Sequence, residues 1–269
     1  MKPYYKYAKS FALGAQSAME YRADFLLGMV SAIWPIFIQF FLWTSIYGGS
    51  GQQSLFGYTF AQMIAYTVMA NIVQRLTRTG FEYEMNDDIK NGGLDKFIIR
   101  PVGYFQYRMA TFVGGKLSQF AMMFLVMLGA IVAVNEIYGG VIAPLNVVWF
   151  TLTLLLAFVL NFIIFFCVGT IAFWLVEIGF FYEAVRIVFI ALSGGIFPLD
   201  VFGEKVVAVL NFLPFKYTVN FPVDVLNGRV AGLDVLTGCL IQLAWIAALS
   251  LLSLKLWKIG QKKYVAAGG

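Results

Sequence analysis

Residues 79–108, TGFEYEMNDDIKNGGLDKFIIRPVGYFQYR, form a charged segment in a chain whose other long stretches are mostly apolar. Seven ionisable side chains lie between Glu82 and Lys96, and each would cost about 2.5–3.5 kcal/mol at the centre of a lipid bilayer. Residues 25–47, by contrast, carry no charge at all. The charged segment must therefore lie outside a membrane that the apolar stretches cross.

The composition is that of a membrane protein. Mean hydropathy is +0.80 and only 12% of the residues are charged, about half the fraction that is usual in soluble domains. The net charge of +5 does not indicate nucleic-acid binding, because the basic residues are spread along the chain and form no single stripe. Anionic lipid of the inner leaflet is the expected counterion.

Catalysis and metal binding are not expected of this chain. It contains no His, and its two cysteines, Cys167 and Cys239, lie inside apolar stretches, which gives neither a metal site nor a disulfide framework. The phosphate-binding pattern GxxxxGK[ST] is absent from the sequence. Without His, no Ser-His-Asp or Cys-His set can form. We therefore expect a protein that is not itself an enzyme and holds no metal or cofactor.

Apolar stretches of about 20 residues predict the membrane-crossing helices. Six are found, near residues 25–47, 57–78, 109–135, 146–175, 180–199 and 232–256. The fifth is interrupted by Gly194, Gly195 and Pro198. The expected fold is an all-α membrane protein with six transmembrane helices, in which residues 25–269 form one membrane-spanning domain.

The first 24 residues predict an amphipathic helix on the membrane surface. Within residues 3–22, apolar and aromatic side chains recur at helical spacing, and Lys2, Lys6, Lys9 and Glu20 lie off that stripe. Such a pattern is typical of a helix that lies in the plane of the interface.

The distribution of positive charge predicts the orientation. If the N-terminus is cytosolic, only Lys205, Lys216 and Arg229 of the 19 basic residues fall on the outer side. Cytosolic loops are enriched in Lys and Arg. Both termini and the charged segment are therefore expected in the cytosol.

Two sets of polar residues accompany the predicted helices. Along the second stretch, one polar stripe either lines a path or bonds to a neighbouring helix, and the pattern leaves both readings open; its members are Gln62, Tyr66, Asn71 and Gln74. A cytosolic ion-pair cluster is expected where the fourth and fifth stretches meet. It comprises Glu177, Glu183 and Arg186, of which Glu183 and Arg186 have the spacing to pair on one helical face.

Residues 194–229, here called the outer segment, are too apolar for a free loop yet are broken by glycines and prolines. Non-helical backbone at membrane depth is tolerated only where protein or a water-filled cavity satisfies its polar groups. This pattern predicts a half-buried re-entrant hairpin at the outer face. Its aromatic side chains suit an interfacial belt or a hydrophobic plug.

These two segments carry a family resemblance. The charged segment contains Gly93-Leu94-Asp95 followed by Arg100-Pro101-Val102, and the outer segment contains Phe197-Pro198-Leu199-Asp200, then Pro214-Phe215-Lys216-Tyr217, then Phe221-Pro222. In this order the motifs resemble the permease subunits of type-2 ATP-binding-cassette exporters. The resemblance covers essentially the whole chain and is strongest to the branch of paired permeases often labelled as viologen-type or multidrug exporters.

The resemblance implies partners and roles. A second permease, identical or a sister chain, and two cytosolic ATPase subunits that hold ATP and Mg are expected, in a bacterial or archaeal cytoplasmic membrane. The charged segment would form a short coupling helix, around Phe97-Ile98-Ile99, that receives the mechanical input; its residues are Asn91, Gly93, Leu94, Asp95, Lys96, Arg100 and Pro101. The outer segment would form the gate through Phe197, Pro198, Phe212, Pro214, Phe215, Tyr217 and Pro222.

The expected function is outward movement of a hydrophobic or amphipathic compound by alternating access, powered by the ATPase subunits. Within the exporter class, a lipid, a glycan carrier or a peptide is the alternative cargo. A secondary transporter or channel that needs no ATPase is a rival of another class. It would require ionisable residues near the membrane midplane or an inverted repeat, and the sequence has neither.

Overall fold

The computed structural model describes residues 3–20, 31, 33–99, 102–139, 142–175 and 178–264. Within these residues the chain is almost entirely helical. The helices are α1 (Pro3–Glu20), α2 (Ile33–Ser50), α3 (Phe60–Thr77), α4 (Phe81–Lys90), α5 (Asp95–Ile99), α6 (Tyr104–Tyr138), α7 (Pro144–Thr170), α8 (Gly179–Leu192), α9 (Glu204–Leu210), α10 (Asn220–Leu226) and α11 (Leu233–Gln261). Short 3₁₀ turns follow at Ile171–Phe173, Leu199–Phe202 and Phe215–Thr218.

Three helices of the described residues are long and apolar enough to cross a membrane. They are Tyr104–Ile137 of α6, Pro144–Phe173 of α7 with its 3₁₀ extension, and Leu233–Gln261 of α11. They coincide with the third, fourth and sixth stretches predicted from the sequence. The chain is therefore a multi-pass membrane protein, and the count of six crossings stays a prediction.

The remaining three stretches differ from expectation for separate reasons. The first lies partly outside the described residues, and α2 begins at Ile33. The second begins later than predicted, at Phe60. The fifth was predicted to reach residue 199, which is wrong, because α8 ends at Leu192 and Gly194 adopts a left-handed φ of 79°. With 14 residues, α8 is only ~21 Å long.

A capping box fixes the start of α3. The Thr59 side chain accepts a bond from the backbone N–H of Gln62, and the Gln62 side chain accepts one from the backbone N–H of Thr59, a reciprocal arrangement that satisfies free N–H groups at a helix start. Just before it, strands β1 (Ser54–Leu55) and β2 (Tyr58–Thr59) pair antiparallel around Phe56 and Gly57, both at positive φ. Residues 57–59 therefore belong to this hairpin and not to the helix.

Helix α7 lies at the centre of the molecule. Of the 18 most apolar consecutive residues of α7, 67% are buried, and the corresponding shares are 19% for α6 and 22% for α11. Helices α3, α4, α10 and α11 all pack against it. An aromatic cluster joins α7 to the charged segment, with the Phe162 ring 4.7 Å from Phe81 and 5.4 Å from Phe112. Each such ring, once buried, contributes about 1.5–3 kcal/mol.

The charged segment folds into two helices, α4 and α5, where one short helix was expected. The turn between them reverses at Gly92, which has φ 75°. Leu94 closes the turn, since its N–H donates to the Asp88 carbonyl at 3.0 Å and its side chain is 2% exposed. The expected short helix at Phe97 is α5, and the longer α4 precedes it.

Helix α1 packs tightly along α6. A Cβ added to Gly14 would overlap the Thr111 carbonyl oxygen, and one added to Gly114 would overlap the Phe11 carbonyl oxygen. The two backbones therefore touch, which only glycine permits. The predicted N-terminal helix is present, and its position on a membrane surface stays a prediction.

Two substitutions on α6 should act in opposite directions. Gly114→Ala places a methyl group against the Phe11 backbone and should force α1 away from α6, whereas Gly129 has nothing within 4 Å of an added Cβ. Gly129→Ala should leave stability unchanged or raise it by up to about 1 kcal/mol, because Ala is the better helix former. Thermal unfolding in detergent, with proteolysis of the N-terminal helix, measures both. Equal stability of the two variants would contradict the contact.

Candidate functional site

Helix α3 connects the two segments that the sequence singled out. At its start, the Asn227 side chain donates to the Gln62 carbonyl at 3.3 Å. The Tyr66 hydroxyl donates to the Gly194 carbonyl at 2.6 Å. At its end, Thr77 lies next to the charged segment and its carbonyl accepts a bond from Asn161 of α7. The 18 residues of α3 span ~27 Å. The outer segment and the charged segment thus lie at opposite ends of one rigid element.

The first half of the predicted polar stripe bonds to neighbouring protein. Gln62 completes the capping box described above. Tyr66 is fully buried, donates to the Gly194 carbonyl and accepts a bond from the Asn220 amide at 3.1 Å. The Tyr66 hydroxyl is therefore bonded to the outer segment, whereas the Gln62 side chain caps its own helix; the role of the stripe in a path or in helix contacts stays a prediction.

The second half of the stripe lines a cavity of about 370 Å³ between α2, α3, α7 and α8. Asn71 donates back to the Thr67 carbonyl of its own helix at 2.8 Å. Gln74 packs against Gly195, where any side chain would collide with it. Asn161 also lines this cavity, and within the described residues its buried Oδ1 atom has no hydrogen-bond partner. A polar, partly unsatisfied cavity of this size can accommodate a small ligand.

A second cavity, of about 440 Å³, is lined almost wholly by apolar side chains of α7, α8, α11 and the outer segment. Two predicted gate residues, Pro214 and Phe215, contribute to it. The Phe215 ring lies edge-on to Phe189 of α8, with 5.8 Å between ring centroids. This cavity therefore lies directly beneath part of the predicted gate.

The predicted gate residues occupy different environments. Four are buried and help to hold the outer segment together: Pro198, Pro214, Tyr217 and Pro222. Phe197 is half-buried and meets Trp43 of α2 edge-on at 5.8 Å. Phe212 is 80% exposed. The expected re-entrant hairpin is a compact set of short helices, with α10 inserted against α3 and α7. The assignment of these residues to a gate stays a prediction.

A charged cluster that the sequence did not reveal anchors the outer segment. The Tyr58 hydroxyl donates to Asp224 at 2.7 Å and to Asp200 at 3.2 Å. Arg229 donates to Asp200 at 3.0 Å, lies 3.6 Å from Asp224 and stacks over the Tyr58 ring at 3.6 Å. Gly57 leaves room for this guanidinium, since an added Cβ would meet it at 2.8 Å. The cluster ties the turn before α3 to both ends of the outer segment.

The predicted cytosolic ion-pair cluster forms with other partners. Arg186 of α8 pairs with Glu82 of α4, whose carboxylate is fully buried, and not with Glu183. Glu183 accepts instead from the hydroxyl of Tyr83. Partial burial and this bond raise the pKa of Tyr83 above its usual range. Among the described residues, the carboxylate that pairs with Arg186 within 4.0 Å is that of Glu82, because α4 brings it to Arg186, and the cytosolic location of the cluster stays a prediction. Glu177 lies outside the described residues.

Asp88 organises the turn between α4 and α5. Its carboxylate accepts bonds from Lys96 at 3.1 Å, from the Tyr104 hydroxyl at 2.8 Å and from Arg108. Arg108 also pairs with Glu84 and donates to the Tyr104 hydroxyl at 2.9 Å. Bonds from charged donors are about twice as strong as neutral ones. Helices α4 and α5 are thereby held against the first turns of α6.

The predicted coupling residues lie around this turn. Asn91 and Lys96 are exposed, Gly93 and Asp95 are half-buried, and Leu94 is buried; Arg100 and Pro101 lie outside the described residues. Asp95 accepts a bond at 2.8 Å from Tyr264, which follows α11. Partial burial and this bond raise the pKa of the Tyr264 hydroxyl to about 12, so it remains a donor. The C-terminal helix is thus joined to the charged segment.

Sequence reasoning missed these interactions because each partner is distant along the chain. Glu82 and Arg186 are separated by 104 residues, and Tyr58 and Asp224 by 166. The available signal was the presence of Asp200, Asp224 and Arg229 in an otherwise apolar outer segment. Ionisable groups in such surroundings are expected to pair with one another.

The Glu82–Arg186 pair gives a stability prediction. Arg186→Met should leave the Glu82 carboxylate, which is 0% exposed, without a counter-charge and should destabilise the protein by about 3–5 kcal/mol. The double variant Glu82→Leu/Arg186→Met should recover most of that loss. Glu183→Gln, on the exposed face of α8, is the matched control. Chemical unfolding in detergent measures the series, and no recovery in the double variant would refute the pairing.

The Tyr58 cluster gives a second prediction. Tyr58→Phe should destabilise the protein by about 1–3 kcal/mol, because two acceptors lose a donor that is buried beside them. Tyr47→Phe removes a hydroxyl that donates to the Tyr58 backbone carbonyl at 2.8 Å and should cost only about 0.5–1.5 kcal/mol. Thermal unfolding compares the two variants. A larger effect at Tyr47 would contradict the anchoring role of the cluster.

The described residues form a helical protein in which three helices are long and apolar enough to cross a membrane. The model of the ABC-2 family transporter protein matches residues 33–268, which is most of the chain, and the chain belongs to this family. Its members are membrane components of ATP-binding-cassette transporters, they are not themselves the ATPase, and they generally work with ATPase subunits. No curated protein and no solved structure matches the chain.

Proposed function

We propose that this chain is the permease subunit of an ATP-driven exporter that moves a hydrophobic or amphipathic compound outward. The observation that carries this proposal is the family match over residues 33–268, combined with one helix, α3, that joins the charged segment to the outer segment. The order of motifs in the two segments supports the viologen-type or multidrug branch of paired permeases.

The charged segment is the proposed contact with the ATPase. Its exposed residues, Lys90, Asn91 and Lys96, are available to a soluble partner, whereas Leu94 and Asp88 hold the turn from within. A displacement of this turn would reach α6 through Arg108 and α8 through the Glu82–Arg186 pair. The segment is thereby suited to transmit a displacement from the ATPase to α6 and α8.

The proposed translocation path uses the two cavities. The cavity of about 370 Å³ offers amide and charged groups beside aromatic side chains, and the cavity of about 440 Å³ is apolar. Together they suit a small compound with an apolar body and a few polar atoms. ATP binding would bring the ATPases together and change which end is open, since nucleotide supplies the difference in binding between the two states. The outer segment, with Phe197, Phe212 and Phe215, would form the gate.

The proposed assembly contains two permeases and two ATPase subunits, which hold ATP and Mg. Helix α2 presents a row of exposed apolar side chains that either lipid or the second permease would cover: Trp34, Phe37, Ile38 and Phe41. The proposed location is a bacterial or archaeal cytoplasmic membrane with both termini in the cytosol. When the two ATPase subunits close on each other, they would move the charged segments of the two permeases toward each other.

Coupling is tested with the complete transporter in vesicles. Asp95→Ala and Arg100→Gln should reduce ATP-dependent uptake of a hydrophobic dye into inside-out vesicles at least tenfold while ATP hydrolysis and membrane insertion persist. The cause is loss of contact between ATPase and permease, so the two activities separate.

Two controls define the result. Tyr264→Phe breaks only the internal bond to Asp95, and Lys205→Gln alters an exposed residue at the opposite end; both should transport normally. Unchanged transport in Asp95→Ala and Arg100→Gln would refute the coupling role. Dye movement by the permease without any ATPase would favour a secondary transporter.

A further inference from the structure

A cavity of about 710 Å³ lies between α1, the end of α3, the start of α4 and the first turns of α6, and it shares Arg78 and Thr79 with the cavity of about 370 Å³. Its walls are of two kinds. Leu13, Phe81 and Phe112 give an apolar surface, and Arg78 and Lys116 bring positive charge to the same space. Hydroxyl groups of Thr79 and Thr111 complete the lining. A cavity of this character suits an amphiphile with an anionic head.

The cations at this cavity lack acidic partners. Within the described residues, no carboxylate lies within 4.0 Å of Arg78 or Lys116, although Arg108, Arg186 and Arg229 are all paired. Lys116 Nζ donates to the Arg75 carbonyl at 3.3 Å and lies 6.0 Å from the centre of the Phe112 ring. Glu84 borders the cavity but is engaged by Arg108. Arg78 and Lys116 therefore form no direct ion pair with a carboxylate of the described residues.

The depth of Lys116 matches the level of lipid head groups. Between Lys116 and Glu136, α6 carries no charge, and the 20 residues from one to the other correspond to ~30 Å of helix, the thickness of the bilayer hydrocarbon core. Beside it, Leu117 is 54% exposed, as expected for a side chain that faces acyl chains. Lys116 thus lies where the hydrocarbon ends.

We propose that this cavity binds the phosphate head group of an anionic phospholipid, held between Arg78 and Lys116 while its acyl chains run along α6. Phosphate accepts several charge-assisted hydrogen bonds and neutralises adjacent cations. Anionic lipid is enriched in the cytosolic leaflet, which is the side proposed for the charged segment. The lipid is a structural ligand of α1, α3 and α6 and is not the cargo, so the site does not depend on the proposed substrate.

The alternative role of Arg78 is to complement the negative end of the α3 helix dipole, since Arg78 caps that helix. That role requires no phosphate and would not discriminate between lipid head groups. The two possibilities therefore differ in a measurable property, the preference for anionic over zwitterionic lipid.

The test is native mass spectrometry of the full-length chain, delipidated in detergent and titrated with phosphatidylglycerol or with phosphatidylcholine of the same acyl chains. The wild-type chain should retain at least one tightly bound phosphatidylglycerol and bind phosphatidylcholine at least tenfold more weakly. The double variant Arg78→Gln/Lys116→Gln should lose one phosphatidylglycerol or bind it at least tenfold more weakly, as expected for the loss of charge-assisted contacts.

Matched variants distinguish loss of the binding site from loss of net charge and from misfolding. Lys90→Gln/Lys205→Gln removes the same two charges from exposed positions and should bind like the wild type, and Arg78→Lys/Lys116→Arg should restore the preference. Equal binding of the two lipids by the wild-type chain, or unchanged phosphatidylglycerol binding in Arg78→Gln/Lys116→Gln, would overturn the proposal. Displacement by millimolar inorganic phosphate alone would overturn it in favour of a free-phosphate site.

Discussion

The structure depends on the enclosure of α7, an uncharged helix whose side chains are mostly apolar. A helix of this kind must be surrounded by protein or lipid, and here the other elements surround it: α3, α4, α10 and α11 all pack on it. Each element that covers α7 brings its own polar groups inside. Gln242 of α11 shows how these are handled, since it is fully buried and donates to the Thr153 and Tyr217 carbonyls at 3.0 and 2.9 Å.

The two ends of the molecule are held by different means, and this difference suits transport. At the charged segment, buried ion pairs such as Glu82–Arg186 fix the position of short helices whose other face is exposed. At the outer segment, one charged cluster and several backbone-directed bonds hold short helices against α3. Breaking a buried pair is costly, whereas the aromatic contacts of Phe197 and Phe215 can rearrange by rotation. The arrangement would therefore permit movement at the proposed gate while the proposed ATPase contact keeps its shape.

The sequence predicted what depends on local pattern. Hydropathy located α6, α7 and α11, and helical spacing located α1. The capping pair Thr59 and Gln62 was readable from the sequence but was overlooked, so the start of α3 was placed too early. The end of α8 was placed too late, although the glycines that end it were recognised. The partners of Arg186 and Tyr58 were not predictable, because tertiary packing, and not local spacing, brings Glu82 and Asp224 to them.

The close approach of Gly14 and Gly114 has a mechanical consequence. Because the backbones of α1 and α6 touch, the two helices form a single stiff body, and Arg108 fastens that body to the turn at Asp88. A shift of this turn by a soluble partner would tilt α6 and drag the amphipathic N-terminal helix through the head-group layer. Lipid viscosity and composition would then resist each cycle, so the turnover of the transporter would respond to the membrane in which it resides.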